Sequence, residues 1–313
     1  MNTQSDIGVR PKVIGIAGLY LALAALAYYL TFCNLDGRPF WGDEAETALL
    51  ARNIVRFGVP RVDDGINHIS LHGDGFDARG GLWTWSPWLP DYIAAGSFAV
   101  FGQTAWAGRA PFAFIGWLSV PALAFVTWRI YRRHRVALAA MLLLGTSEVF
   151  LLHIRQCRYY SITVLAEILL VYGIYKILAR NKGGSWFIAG ALLVQFYCNY
   201  TCAVANIPIL VVLGFKLFNQ DRPNLLRLLS SFGIFLLLTV PWLLFAETWR
   251  QGVAEGRDTR MHLIQFYGWQ FQFHFLPWCF VLLPAGGWAV RRFGGGNGNI
   301  PPVSKLPNAL DSD

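Results

Sequence analysis

The chain of 313 residues is 55% hydrophobic and only 14% charged, with a mean hydropathy of +0.42, whereas ordinary soluble domains carry about 25% charged residues. That composition excludes a soluble protein built on a single core. The net charge of +8 gathers at the ends of apolar runs, where helix orientation in lipid accounts for it, so a nucleic-acid partner is not expected. Five scattered cysteines, Cys33, Cys157, Cys198, Cys202 and Cys279, include no CxxC pair, which argues against a disulfide framework or a metal cluster.

A helix needs about 20 residues at 1.5 Å each to cross a hydrocarbon core of about 30 Å. Residues 13–32 supply the first such segment. Arg10 and Lys12 precede it and no small-residue cleavage site follows, so it reads as a retained helix with a cytoplasmic N-terminus. Residues 33–107 then carry Asp36, Asp43, Glu44, Glu46, Asp63, Asp64, Asp74, Asp77 and Asp91 among glycines, with no spanning run. This is a large, acidic outer loop.

The apolar stretch from Trp88 to Gly102 decides the topology. If it crossed the bilayer, 110–131 would run outward and leave Arg129, Arg132, Arg133 and Arg135 outside, against the positive-inside bias. Laid along the interface, it turns 110–131 inward. The later basic clusters then all fall in the cytoplasm: Lys176, Arg180 and Lys182; Lys216, Arg222 and Arg227; Arg291 and Arg292. About eight spans follow, near 13–32, 110–131, 136–153, 161–179, 185–200, 201–218, 225–246 and 276–291. Outer connections fall at 33–107, 154–160, around 200, and 247–275. The expected fold class is all-α, a polytopic membrane helical bundle with juxtamembrane helices in its large outer loop. Residues 1–293 form this transmembrane module, and 294–313, rich in Gly, Asn and Pro, read as a disordered cytoplasmic tail.

Within the outer loop, Arg38 to Gly58 reads RPFWGDEAETALLARNIVRFG. Ala45, Ala48, Leu49, Ile54, Val55 and Phe57 fit one helix, ended by Gly58. Its leading acids have two readings. Asp43 as a cap, with Glu44 or Glu46 in the first turn, stabilises a helix whatever the function. Placed just beyond the first span, the same carboxylates can also meet a lipid headgroup.

Trp41-Gly-Asp-Glu44, Ala51-Arg-Asn-Ile54 with Gly58, Trp85-Ser-Pro-Trp-Leu-Pro-Asp-Tyr92, Phe101-Gly102, Arg109-Ala-Pro-Phe112 and Arg158-Tyr-Tyr160 occur in that order. As a set, over roughly residues 13–220, they resemble GT-C class membrane glycosyltransferases, especially the protein-mannosyltransferase-like and aminoarabinose-transferase-like branch related to glycosyltransferase family 39. The resemblance implies an inverting sugar transferase that uses a polyprenyl-phosphate-linked donor at the outer face of a bacterial inner membrane. Asp43 is the matching position for the catalytic carboxylate. The aminoarabinose branch carries a second acidic residue near the position of Arg158, and this sequence departs from it there. The family also has a long outer loop between its seventh and eighth spans, where the charge bias alone places 247–275.

Such a transfer needs a carboxylate to deprotonate the acceptor and cations for the departing phosphate. Asp43 is the candidate base, and Glu44 is the candidate to orient it or the acceptor. Arg109, Arg155 and Arg158, at the outer ends of predicted spans, are candidates for the phosphate because guanidinium binds it as a fork; the alternative is that they snorkel to headgroups. Trp85, Trp88, Tyr159 and Tyr160 are candidates for the sugar or acceptor site, although tryptophans also form interfacial belts. Glu148 and Glu167, inside predicted spans, are expected to face the bundle interior. The motifs fix no cofactor, and a divalent cation stays an open alternative. His68, His72, Asp74 and Asp77 are the residues to consider for a divalent cation, but their spacing matches no strong ligand motif. The expected partners are the polyprenyl-phosphate sugar and membrane lipids. The relatives continue through further spans where this sequence ends after about eight, so the second expectation is a truncated or non-catalytic relative that binds lipid-linked sugar or a partner.

Overall fold

Long apolar runs in lipid must satisfy every backbone N–H and C=O internally, and helices do so segment by segment. The computed structural model describes residues 10–70, 78–181 and 183–249, and among them the chain is helical almost throughout. The order is α1 (Arg10–Phe32), α2 (Gly42–Phe57), the short strands β1 (Ala78–Arg79) and β2 (Leu82–Trp83), α3 (Leu89–Phe101) and α4 (Ala105–Tyr131). There follow α5 (His134–Gly145), α6 (Glu148–Ile154), α7 (Tyr160–Leu178), α8 (Gly184–Cys198), α9 (Tyr200–Ala205), α10 (Ile207–Gln220) and α11 (Arg222–Ala246). All lie in the compact unit Met1–Glu247.

Among the described residues, five segments are long and apolar enough to cross a membrane: Gly15–Phe32, Ala105–Tyr131, Tyr160–Leu178, Tyr200–Gln220 and Arg222–Ala246. The expected span at 136–153 is not one rod. It divides into α5 and α6, bent by 62°, because Thr146 closes α5 with its hydroxyl on the Leu142 carbonyl and Ser147 opens α6 by accepting the Phe150 N–H. The bend also overturns the placing of Glu148, which begins α6 and is exposed. The expected span at 185–200 becomes α8, of 15 residues. Within 201–218 the helix breaks at Asn206 between α9 and α10. The expected span at 276–291, the outer loop at 247–275 beyond Trp249, and the tail at 294–313 lie outside the described residues. The stretch at 88–102 forms α3, whose 13 residues reach about 20 Å at 1.5 Å each, short of the bilayer core.

The bundle closes on small residues. Helices α7 and α8 approach so tightly that a Cβ on Gly173 would stand 2.9 Å from the Gly184 carbonyl, and one on Gly184 would stand 2.7 Å from that of Gly173. Gly116 of α4 likewise gives room to Ile154 of α6. A buried polar knot crosses the interior: Glu167 of α7 accepts from Gln195 Nε2 at 2.7 Å and from Asn206 Nδ2 at 2.8 Å, so the break at Asn206 is held by the helices it faces.

The outer-loop elements fold onto α2. Gly80 and Gly81, at φ 58° and 78°, turn β1 into β2, a conformation that favours glycine at both positions. The β2 residue Trp83 is fully buried with Leu50, Val62 and Ile69. Arg52 pairs with Asp64, whose carboxylate also accepts the Ile66 and Asn67 N–H groups; those bonds hold it well below the usual carboxylate range. Helix α3 lies along α2 and α4, and its Tyr92 hydroxyl donates to the Gly58 carbonyl at 3.0 Å.

Candidate active site

Helix α2 starts at Gly42, ends in a left-handed Gly58, and buries Glu44, Thr47, Ala48, Ala51 and Ile54 on one face. The cap position belongs to Trp41, so Asp43 is not the cap. It lies in the first turn, where its charge suits the helix dipole. Because successive residues turn by about 100°, the neighbours Asp43 and Glu44 face different surroundings. Glu44 points inward and is 1% exposed, whereas the Asp43 side chain is 46% exposed.

Glu44 meets Arg109 of α4 in a buried fork: Nε donates to Oε1 at 2.8 Å and Nη2 to Oε2 at 2.6 Å. The remaining Arg109 donors bond the carbonyls of Leu35, Arg38 and Pro39 at 2.7–3.0 Å. The expectation for Arg109 was a donor phosphate, yet all five of its N–H groups are already used within the protein. Glu44 also accepts the Cys157 backbone N–H at 2.8 Å. One carboxylate thus joins the segment after α1, the start of α4 and the segment before α7. Burial and this carboxylate push the Cys157 thiol far up, so it is no nucleophile at neutral pH.

Arg158, just before α7, faces the other side of α2. It stands 3.3 Å from Asp43 Oδ2 through Nη2 and 3.1 Å from Glu46 Oε1 through Nη1, and Nη1 also donates to the Thr47 hydroxyl at 3.3 Å. Its Nε is buried without a hydrogen-bond partner among the described residues. Burial works against its charge, but Glu46 and Asp43 more than offset that and raise its pKa. Asp43 and Glu46 sit three residues apart and therefore share a helix face; that spacing was the available signal for Glu46, which the sequence reading did not single out. Asp91 of α3 was also missed. It is 4% exposed and lies within electrostatic reach of Glu46 and Arg158.

The other candidates are distributed around this centre. The Arg158 guanidinium lies 5.6 Å from the Tyr159 ring centre, and the Tyr159 and Tyr160 rings are 4.6 Å apart. Burial, helped by Tyr160, pushes the Tyr159 hydroxyl up to about 12, so it stays a protonated donor. Arg155 instead donates to the Cys33 and Asn34 carbonyls and ties α6 to the end of α1. Trp88 donates to the Trp83 carbonyl and packs edge-on to Trp242 of α11 at 5.0 Å, and the Trp85 carbonyl accepts the Tyr200 hydroxyl. Asp63 and His68 face each other at 3.5 Å in the loop that follows α2. The described residues contain no cluster of three metal-ligating side chains, and His72, Asp74 and Asp77 lie outside them.

The family model described as dolichyl-phosphate-mannose-protein mannosyltransferase matches residues 86–246, just over half of the chain. The matched region contains Asp91, Arg109, Arg155, Arg158, Tyr159 and Tyr160, while Asp43, Glu44 and Glu46 precede it. No curated protein matches the chain, and no solved structure does.

Proposed function

The chain belongs to the dolichyl-phosphate-mannose-protein mannosyltransferase family and is a multi-pass membrane glycosyltransferase of the GT-C type; on that premise we propose that it transfers a sugar from a polyprenyl-phosphate donor to a hydroxyl of a lipid, glycan or protein acceptor, at the outer face of a bacterial inner membrane. The observation that carries the proposal is the half-exposed Asp43 carboxylate held beside Arg158, a cation with an unused donor. The outer placement rests on the positive-inside bias.

In this reading the Asp43 carboxylate takes the proton of the acceptor hydroxyl as its oxygen attacks the anomeric carbon from the face opposite the phosphate, which inverts that centre. The bond from the anomeric carbon to the phosphate oxygen breaks, and its electron pair leaves on the polyprenyl phosphate. Arg158 receives that growing charge. A donor phosphate competes with Asp43 for the same guanidinium, so its arrival loosens the ion pair and frees Asp43 to act as a base. The Tyr159 ring lies beside the Arg158 guanidinium, 5.6 Å from it, and flanks the same cation. Arg109 and Glu44 serve the site by fixing where α2 and the segment before α7 stand, and Arg155 fixes the end of α1.

The test is donor consumption by the protein in liposomes loaded with polyprenyl-phosphate mannose and, in parallel, other polyprenyl-phosphate sugars. Asp43→Asn keeps the shape and removes the basicity. It should lower transfer by about 10²-fold or more, with thermal stability unchanged. Full transfer by this variant would remove Asp43 from the mechanism.

A further inference from the structure

Asp91 is a buried acid that the proposed transfer chemistry leaves unused. It is the third residue of α3, 4% exposed, and its Oδ2 is buried with no hydrogen-bond partner among the described residues. A first-turn acid normally keeps a charged carboxylate turned to water, where the helix dipole favours it. This one is turned into the protein, against the apolar seam where Ala94, Ala95 and Phe98 of its own helix meet Ala48, Ala51, Cys157 and Cys198.

Charged and titratable groups surround it. Helix α2 presents Glu46, the segment before α7 presents Arg158 and Cys157, and α8 presents Cys198. On α4, Arg109 is fully occupied by Glu44 and the three carbonyls. The Cys157 thiol remains neutral and Glu44 is paired with Arg109, so among the described residues the local charge is set by Asp43, Glu46, Asp91 and the cation Arg158. Three carboxylates and one guanidinium make a poor receptor for a phosphate if every acid is ionised.

We propose that Asp91 is a positioning residue for donor binding: its neutral carboxyl leaves Arg158 available at the α2 surface, and its ionisation draws the guanidinium inward and repels the donor phosphate. The proposal rests on the reading of Arg158 as the phosphate ligand. Burial pushes the Asp91 carboxyl well above the usual carboxylate range, Glu46 pushes it further, and Arg158 opposes them. The sign follows. Below the Asp91 pKa the acid is neutral and donor binding is strong; as pH rises through it, binding weakens. By linkage, bound phosphate raises that pKa in turn.

The experiment measures binding of methyl polyprenyl phosphate to the purified full chain in detergent from acid to alkaline pH. This probe is a phosphodiester whose single charge is constant over that range. Wild type should lose affinity by about tenfold as pH rises past the ordinary carboxylate range. Asp91→Asn, permanently neutral, should bind like acid-side wild type and show no such loss. Its kcat should stay within about twofold of wild type while its donor KM loses the alkaline rise. A role in packing alone predicts no change in pH profile. Arg158→Gln separates the two proposals: it should weaken the probe at every pH, and unchanged affinity would sink the phosphate reading and this inference with it. If Arg158→Gln weakens binding but Asp91→Asn keeps the wild-type pH dependence, the Asp91 proposal alone is overturned. Affinity in wild type that is flat with pH overturns it without any variant.

Discussion

Glu44→Gln should unfold the protein more readily without acting on the chemistry directly. The Glu44 carboxylate accepts from Arg109 Nε and the Cys157 N–H on Oε1, and from Arg109 Nη2 and, at 3.4 Å, the Trp41 N–H on Oε2. Glutamine turns one of these oxygens into an NH₂ group. Whichever oxygen it replaces, a donor then faces two donors. Arg109, 8% exposed, would also lose the one anion bonded to it among the described residues while still buried. Removing one partner of a buried ion pair costs about 3–5 kcal/mol, against about 0–1 kcal/mol for a pair on the surface. At about 2–4 °C per kcal/mol the thermal midpoint should fall on the order of 10 °C. Tryptophan fluorescence during heating in detergent reads this directly, since the chain has 13 tryptophans. A coupling between Glu44→Gln and Arg109→Met of about 1–3 kcal/mol should appear in the double variant. A midpoint within about 2 °C of wild type would refute the reasoning, because it would mean that Arg109 keeps a full set of acceptors, or water, once the carboxylate is gone.

Arg158→Lys keeps the charge but cannot reach Asp43 and Glu46 with one planar fork, so donor KM should rise about tenfold while the fold persists; a KM equal to wild type would place the phosphate elsewhere. Gly184→Ala puts a methyl 2.7 Å from the Gly173 carbonyl, and prying α7 from α8 should cost about 1–3 kcal/mol, read as a lowered thermal midpoint; unchanged stability would show that the two helices have slack. Reporters fused after Arg135 and after Asn181 should both read cytoplasmic, and an external signal after Arg135 would reverse the orientation of α4.

Hydropathy and charge were sufficient to establish that the chain is helical and crosses a membrane, because backbone satisfaction in lipid is a local requirement met within each segment. The end of α2 at Gly58 was equally legible, since a left-handed residue after a helix favours glycine. The division of α5 from α6 was not, for the run 136–153 is apolar on both sides of Thr146 and Ser147 and hydropathy averages over a break that two hydroxyls create. The candidate site divides in the same way. Sequence placed acids beyond the first helix and arginines near the ends of spans, but neighbouring residues on one turn differ by about 100° in direction. Which of them becomes structural and which stays accessible depends on what the helix packs against. Contacts from α4 and from the segment before α7 take Glu44 and Arg109 out of reach and leave Asp43 beside Arg158. Asp91 shows the same limit: in sequence it is an ordinary first-turn acid, and only the packing of α3 against α2, α4 and α8 turns it into a buried carboxyl whose Oδ2 has no hydrogen-bond partner among the described residues. Desolvation and long-range pairing are properties of the assembled neighbours, and no local stretch of sequence carries them.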